Sequence, residues 1–205
     1  MTKKDFDNIF EFLKLSDRLT TLLRRGWLQY NVQVDRVESV SDHLFLSCML
    51  GIAIYSTEDI NDVDMFKVMT MLLLHETEEI FIGDMTPVDP QYGNKTEKAR
   101  EAMESFCKNF KKSRLMLDLI EEFDKNETKE AQFAMQLDKI QSIFKAKLLD
   151  GKFDIEASND PLLKEERKLL NTPELNNKIH KLFLHNHKSK YTGIFAEMAK
   201  FLEED

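Results

Sequence analysis

The 205 residues suffice for one substantial hydrophobic core, and no linker separates two full domains. The formal net charge of -8 argues against general attraction to nucleic acid polymers or to anionic membrane surfaces. The two cysteines lie in helical patterns, which argues against a disulfide framework and favours a reducing cytoplasm. The opening MTKKDFDNIF lacks the apolar core of a signal peptide, and the longest apolar runs, such as MTMLLL, are far short of the ~20 residues that cross a bilayer. We therefore expect a soluble cytoplasmic protein without a membrane partner.

Helices are predicted throughout the chain. Glycine and proline are scarce, at 6 and 4 residues, and apolar residues recur at spacings of three and four instead of alternating. This composition predicts an all-α helical bundle, with residues 1–205 in a single domain.

The first helix is expected over about Asp5 to Arg25 and is ended by Gly26. Its first half carries an apolar stripe predicted to be buried: Phe6, Ile9, Phe10 and Leu13. The following stretch, WLQYNVQVDRVES, has helix-poor residues and little 3.6-residue periodicity. It predicts an irregular connection that could display Arg24, Arg25, Trp27 and Arg36.

A second helix begins after a cap at Ser39 or Ser41 and runs to about Tyr55. On a helical wheel, His43 falls on the same side as three apolar residues: Leu46, Leu50 and Ile54. His43 is therefore expected to point inward, either as a ligand or as an ordinary core histidine bonded to a backbone carbonyl.

A third helix is predicted from Asp62 or Asp64 through a leucine run to Gly83. Its end, LLLHETEEIFIGD, places a histidine and four acids after an apolar segment. Burying an unpaired charge costs several kcal/mol, so these groups need compensation, and a metal ion is one candidate. On a helical wheel His75, Glu76 and Glu79 share one arc. For a bare His-Glu pair, the more common explanation is an amphipathic helix whose charged face begins where the leucines end.

The segment GDMTPVDPQYGNKT is predicted to be a loop, followed by helices over about Lys95 to Lys111 and Ser113 to Asp124. Thr128 can cap a longer helix that continues to Leu149. Its predicted core stripe is Phe133, Leu137, Ile140, Phe144 and Leu148. One or two further helices are expected to complete the chain.

Asp138 lies in the middle of that long helix, beside the apolar stripe and one turn after the small residue Ala134. By itself it could be a solvated boundary aspartate. Together, however, two inward histidines and two carboxylates from three helices form a complete ligand set for a divalent ion.

Three motifs occur in a characteristic order: RVESVSDH, HETEEIFIGDMTP and AQFAMQLDKIQ. Their order and spacing, with RRGW before the first histidine and GD followed by proline after the second, resemble the HD-domain metal-dependent phosphohydrolases. Within that family the resemblance is to the branch that includes the 5′-deoxynucleotidases. It covers about Arg24 to Leu149 and leaves 150–205 as variable C-terminal helices. It implies an all-α HD-type bundle, a nucleotide substrate and a homodimer.

The resemblance also implies roles for individual residues. The implied metal ligands are His43, His75, Glu76 and Asp138. Glu79 and Asp84 match the acidic residues near the substrate and the attacking water, and Arg24 with Trp27 matches residues that contact phosphate and sugar, with Arg25 competing for the role of Arg24. The family has a His-Asp pair where this chain has His75-Glu76. The extra methylene moves the carboxylate by roughly an ångström, which could change metal choice, affinity or activity.

The implied cofactor is one divalent metal ion. Two imidazoles and two carboxylates suit Mn²⁺, Co²⁺, Fe²⁺ or Zn²⁺ better than Mg²⁺. The implied reaction is hydrolysis of a nucleoside 5′-monophosphate, preferably a deoxynucleotide, to nucleoside and phosphate. Two alternatives stay open: a catalytically weakened nucleotide-binding module, and a phosphohydrolase of other nucleotide specificity.

Three features also have explanations that involve no ligand. Trp27 is the only tryptophan and could be a plain core anchor, and the Arg24-Arg25 pair could be the cationic end of a helix. The C-terminal HKLFLHNHKSK contains three histidines, which we interpret as a solvated face. We assign no role to that segment.

Overall fold

The computed structural model describes residues 1–86, 89, 95–158, 160 and 163–204. The helices within these residues are α1 (Lys3–Ser16), α2 (Arg25–Gln29), α3 (Val40–Thr57), α4 (Met65–Leu74), α5 (Glu79–Ile82), α6 (Lys95–Cys107), α7 (Ser113–Lys125), α8 (Lys129–Leu148), α9 (Lys164–Leu170), α10 (Ile179–His187) and α11 (Gly193–Glu204). Short 3₁₀ helices cover Asp17–Thr20 and Lys188–Lys190. The all-α prediction is confirmed, but three helices follow α8 where one or two were expected.

The chain forms two compact units. The first contains Met1–Arg25 and Glu38–Met135, and the second contains Gly26–Val37 and the chain from Gln136 onward. Helix α8 begins in the first unit and continues into the second. The extent of a single domain over residues 1–205 stays a prediction.

The first predicted helix was wrong in three respects. Helix α1 ends at Ser16, Gly26 lies inside the short helix α2, and α1 has no buried residue. Its apolar stripe is 47% to 64% exposed: Phe6, Ile9, Phe10 and Leu13. Periodicity identifies an apolar face, but it does not say whether the same chain covers that face.

Two short backbone contacts bring the residues before α2 to the start of α3. The backbone N–H of Arg24 donates to the carbonyl of Glu38 at 2.9 Å, and that of Val40 donates to the carbonyl of Leu22 at 2.8 Å. They flank an isolated antiparallel bridge between Leu23 and Ser39. Arg24 is thereby fixed beside the N-terminus of the helix that carries His43.

Helix α3 begins at the expected cap. Ser39 and Asp42 form a capping box in which each side chain accepts from the other residue's backbone N–H. Val40 and Leu44 of α3 pack in one buried cluster with Leu19 and with Ile80 of α5. This cluster fixes the start of α3 against the acidic turn that follows α4.

By length and composition alone, α3 is long and apolar enough to cross a membrane, although buried core helices of soluble proteins pass the same test. Its 18 residues have a mean hydropathy of 1.2, and 33% of this window is buried. The absence of a membrane partner stays a prediction.

The helix predicted to run through to Gly83 is two helices. Asp64 caps α4 by accepting from the backbone N–H of Lys67, and α4 ends at Leu74. Helix α5 ends at Ile82, just before Gly83, whose φ is 80°. Residues 87, 88 and 90–94 of the predicted loop lie outside the described residues. The turn between the two helices contains His75 and Glu76.

Helix α8 confirms the Thr128 cap, since the Thr128 hydroxyl accepts from the backbone N–H of Ala131 at 3.2 Å. Leu137 and Ile140 of its predicted stripe are fully buried, whereas Leu148 is 72% exposed. The stripe therefore ends before the helix does. In the second unit, Trp27 packs in a buried cluster with residues of the C-terminal helices, including Ile179 and Leu182.

Candidate functional site

The four predicted metal ligands converge. His43, His75, Glu76 and Asp138 each offer one ligand atom, and these atoms all lie within 4.8 Å of one another. Ligand atoms around a divalent ion at bond lengths of about 2.0–2.2 Å are roughly 3–4 Å apart. The cluster therefore fits such an ion after small side-chain adjustments.

The His75 ring is held in the tautomer that a metal ligand needs. Its Nδ1 lies 2.8 Å from the carbonyl oxygen of Leu72. A carbonyl only accepts, so Nδ1 carries the proton and Nε2 of the neutral ring has a lone pair. That Nε2 lies 3.6 Å from Oε1 of Glu76, and the ring centroid lies 4.6 Å from that of Phe123.

His75 and Glu76 lie in a turn between α4 and α5 whose backbone has 3₁₀ geometry. After Leu74 the hydrogen bonds shift to an i to i−3 pattern, with Thr77 donating to Leu74 at 3.0 Å and Glu79 donating to Glu76 at 3.0 Å. Such 3₁₀ geometry is common at helix ends. The predicted arc assumed one continuous helix, so its angles were wrong, although Glu76 still reaches the cluster.

Asp138 and His43 are buried. Asp138 is 3% exposed and His43 is 0% exposed, which excludes a solvated boundary role for Asp138. Nζ of Lys139 lies 2.8 Å from Oδ2 of Asp138. Helix α8 carries Asp138 just beyond the point where it enters the second unit. Two carboxylates gathered with two histidines satisfy the expectation that buried charges are paired or coordinate metals.

Arg24 contacts both the His-Glu turn and Asp84. Its Nη1 lies 3.0 Å from Oδ1 of Asp84 and 3.5 Å from Oε1 of Glu76. The other oxygen of Asp84 accepts from the backbone N–H of Arg25. The carboxylate of Asp84 thus binds the side chain of Arg24 and the backbone of Arg25.

Arg25 has a different partner. Its Nη2 lies 2.7 Å from Oδ1 of Asp89, and its side chain is 50% exposed, against 19% for Arg24. Asp89 in turn accepts from the backbone N–H of Thr86 at 2.6 Å and from its hydroxyl at 3.0 Å. Asp89 is not among the residues predicted from the sequence, where its only local signal is the turn pattern of TPVD.

Glu79 lies at the first position of α5 and is 1% exposed. That burial excludes a surface ion pair as the explanation for this residue. It follows the His-Glu pair by three residues in the tightened turn.

Trp27 has the surroundings of a core residue. It is 4% exposed, and its ring lies 5.7 Å from that of Phe183 in a stacked arrangement and 6.2 Å from that of Phe153. These contacts account for the tryptophan without a ligand. Its contact with substrate stays a prediction.

The C-terminal histidines do not form one solvated face. His180 is fully buried, whereas His185 is exposed and His187 is half-buried. Nδ1 of His180 lies 2.9 Å from Oδ1 of Asp150. The interpretation as a solvated face was therefore wrong for His180.

The chain matches the HD domain family over residues 16–176. It is 30% identical over 148 residues to the 5′-deoxynucleotidase HDDC2 of Dictyostelium discoideum, covering 68% of this chain and 76% of that protein. It is 29% identical over 144 residues to the human 5′-deoxynucleotidase HDDC2, covering 68% and 67%.

The fold also resembles that of a solved structure. The crystal structure of a predicted metal-dependent phosphohydrolase from Magnetospirillum magnetotacticum MS-1 superposes with a TM-score of 0.69, over 98% of this chain and 95% of that chain. At 22% sequence identity this similarity shows the fold alone. The sequence match and the buried His-His-Glu-Asp cluster agree: this chain belongs to the HD-domain family of metal-dependent phosphohydrolases.

Proposed function

We propose that the chain hydrolyses nucleoside 5′-monophosphates, preferentially deoxynucleotides, to a nucleoside and inorganic phosphate, using one divalent metal ion. The observation that carries the proposal is the four-residue cluster, whose ligand atoms lie within 4.8 Å of one another. The substrate class is supported by the relatives named 5′-deoxynucleotidases, which are 29% to 30% identical to this chain.

The ion would be held by the two histidines and two carboxylates of the cluster. When bound, it would supply Lewis-acid stabilisation of the phosphoryl oxygens and activate a water near neutral pH. The donor set favours Mn²⁺, Co²⁺, Fe²⁺ or Zn²⁺ over Mg²⁺, because Mg²⁺ prefers oxygen ligands. The Nδ1–H of His75 bonded to Leu72 supports this role, since that bond leaves Nε2 available as a donor atom.

The phosphate of the substrate carries up to two negative charges and needs a cation within the site. Arg24 binds the phosphoryl oxygens by charge-assisted hydrogen bonds, and Asp84 keeps its guanidinium oriented. Arg25 is the weaker candidate, because its side chain is 50% exposed and pairs with Asp89, whereas Arg24 contacts Glu76 of the cluster.

Glu79 accepts the proton of the attacking water and later returns a proton to the leaving alkoxide. Its buried position three residues after the His-Glu pair supports this assignment, because a proton acceptor has to lie close to the attacking water. Asp84 acts on the reaction by positioning Arg24. Trp27 would contact the sugar only if part of its ring is uncovered when substrate binds.

The chain would act as a cytoplasmic homodimer. Exposed apolar faces in the first unit support self-association: Phe6, Ile9, Phe10 and Leu13 on α1, and Phe45, Met49, Ile52 and Tyr55 on α3. On α3 these residues are spaced by three and four, so they form one face of the helix.

The deciding experiment is a phosphate-release panel of ribo- and deoxynucleoside 5′-monophosphates with Mn²⁺, Co²⁺, Zn²⁺ and Mg²⁺. Asp138→Asn should abolish release while the protein stays folded, and Asp118→Asn, at a carboxylate that is 53% exposed, should not. Full activity of Asp138→Asn would overturn the metal-dependent mechanism. Tight nucleotide binding without phosphate release under any ion would instead identify a nucleotide-binding module.

A further inference from the structure

The C-terminal segment HNHKSKY folds against the part of α8 that carries Asp138. Helix α10 ends at His187, and Tyr191 follows the 3₁₀ helix. The side-chain oxygen of Gln136 accepts from the backbone N–H of Thr192 at 2.7 Å and from its hydroxyl at 3.2 Å. Gln136 lies two residues before Asp138, so these bonds hold the residue next to Tyr191 on the same stretch of helix.

Tyr191 presents a buried polar atom. The residue is 7% exposed, and its hydroxyl has no hydrogen-bond partner among the described residues. Burial, and next the negative charge of Asp138, raises the pKa of the Tyr191 phenol, so the group is a neutral donor at physiological pH. Buried hydroxyls are normally paired, and one that is not calls for a specific explanation.

The surroundings of Asp138 in the second unit contain basic groups. Lys139 lies 2.8 Å from Asp138. Burial, and then the charges of Lys190 and Lys139, lowers the pKa of His187, while the charge of Asp138 opposes that shift. Although the whole chain has a net charge of -8, Lys139 and Lys190 place positive charge in these surroundings, which favours an anion.

We propose that Tyr191 is a substrate-binding residue whose hydroxyl donates a hydrogen bond to a phosphoryl oxygen of the bound nucleotide. The assignment rests on the proposed function, because an ion held partly by Asp138 would bring the phosphate beside it. It accounts for a hydroxyl that is buried and kept without an internal partner. It also extends the site beyond the part of the chain that resembles the family motifs.

The test compares Tyr191→Phe with Tyr30→Phe, which removes the same hydroxyl from a partly buried residue whose ring contacts those of Phe153 and Phe183. Both proteins are loaded with Mn²⁺, and the binding of inorganic phosphate is measured by titration calorimetry beside kcat/KM for phosphate release. Tyr191→Phe should weaken phosphate binding and lower kcat/KM by roughly 10- to 100-fold, the loss typical of a hydrogen bond to a charged group. Tyr30→Phe should match the wild type in both measurements.

Thermal unfolding and Mn²⁺ affinity separate binding from a structural role. Removing a hydroxyl that has no partner should leave Mn²⁺ affinity unchanged and should not lower Tm. Unchanged phosphate affinity in Tyr191→Phe, with or without a lower Tm, would overturn the assignment. If the wild type hydrolyses no nucleotide but Tyr191→Phe still weakens phosphate binding, the proposed reaction fails while the role of Tyr191 stands.

Discussion

The guanidinium of Arg24 and the carboxylate of Asp84 form a hydrogen-bonded ion pair at 3.0 Å across 60 residues of sequence. The side chain of Asp84 is 5% exposed and that of Arg24 is 19% exposed, so the pair is shielded from water and screened weakly by salt. Asp84 also accepts from the backbone N–H of Arg25. One buried carboxylate therefore orients the residue that we propose to bind phosphate.

Arg24→Ala should lower kcat/KM for phosphate release by about 100-fold or more, because a charge-assisted contact with the phosphate is lost. Arg25→Ala is the matched control, since it removes an adjacent guanidinium that pairs with Asp89. It should cost less than about 10-fold. Equal losses in the two variants, measured by steady-state phosphate release, would remove the distinction between the two arginines.

Glu76 provides a test of the family's altered residue pair. Glu76→Ala should weaken Mn²⁺ binding by at least about 10- to 100-fold, because it deletes one of four ligands that the chain brings together. Glu76→Asp restores the family's pair but withdraws the carboxylate by about one methylene, and it should retain more Mn²⁺ affinity than Glu76→Ala. Titration calorimetry measures both affinities. Unaltered Mn²⁺ binding by Glu76→Ala would show that the ion does not use this residue.

The sequence carried enough information to predict the caps and the four residues that converge in the cluster. Ser39 and Thr128 cap α3 and α8 because capping is local chemistry within a few residues. The ligands could be named because the motifs of the resemblance contain them. The burial of His43 and Asp138 follows from the apolar positions that surround them on α3 and α8.

Other features depend on contacts that no local pattern encodes. The backbone hydrogen bonds after Leu74 have an i to i−3 pattern, and they interrupt the helix that was predicted to run through the leucine run to Gly83. Asp89 pairs with Arg25 across 64 positions, and Tyr191 reaches the surroundings of Asp138 from a segment outside the motifs. The apolar residues of α1 do form one face of the helix, as predicted. Whether that face is buried depends on what packs against it, which the spacing of apolar residues does not encode.

The exposed face of α3 yields a prediction about assembly. Met49 is 45% exposed and Phe45 is 60% exposed, and both would lose water contact in a dimer built on this face. Met49→Asp should therefore convert a dimer to a monomer, since a buried unpaired charge is costly. Light scattering coupled to size exclusion measures the mass.

The control for Met49→Asp is Phe201→Asp, at an apolar residue of α11 that is 70% exposed. It should leave the mass unchanged. A wild-type protein that is monomeric at micromolar concentration, or a Met49→Asp variant that is still dimeric, would contradict the use of this face.

The pH dependence of stability should contain a contribution from His180. Burial lowers the pKa of His180 below its ordinary 6.5, and the hydrogen bond with Asp150 opposes that shift without reversing it. The native state therefore binds a proton less readily than the unfolded chain does. Stability from this group is present above pH 6.5 and is lost as the pH falls through the lower native pKa.

His180→Gln removes this titration while retaining a polar side chain. In urea unfolding at pH 7 and pH 5, the variant should lose less stability on acidification than the wild type, even if it is less stable at pH 7. His185→Gln is the control, because His185 is exposed on the same helix, and its acid loss should equal that of the wild type. All carboxylates are common to the three proteins, so the difference in acid loss between His180→Gln and the wild type isolates His180. An identical loss in His180→Gln and wild type would show that this histidine does not couple to folding.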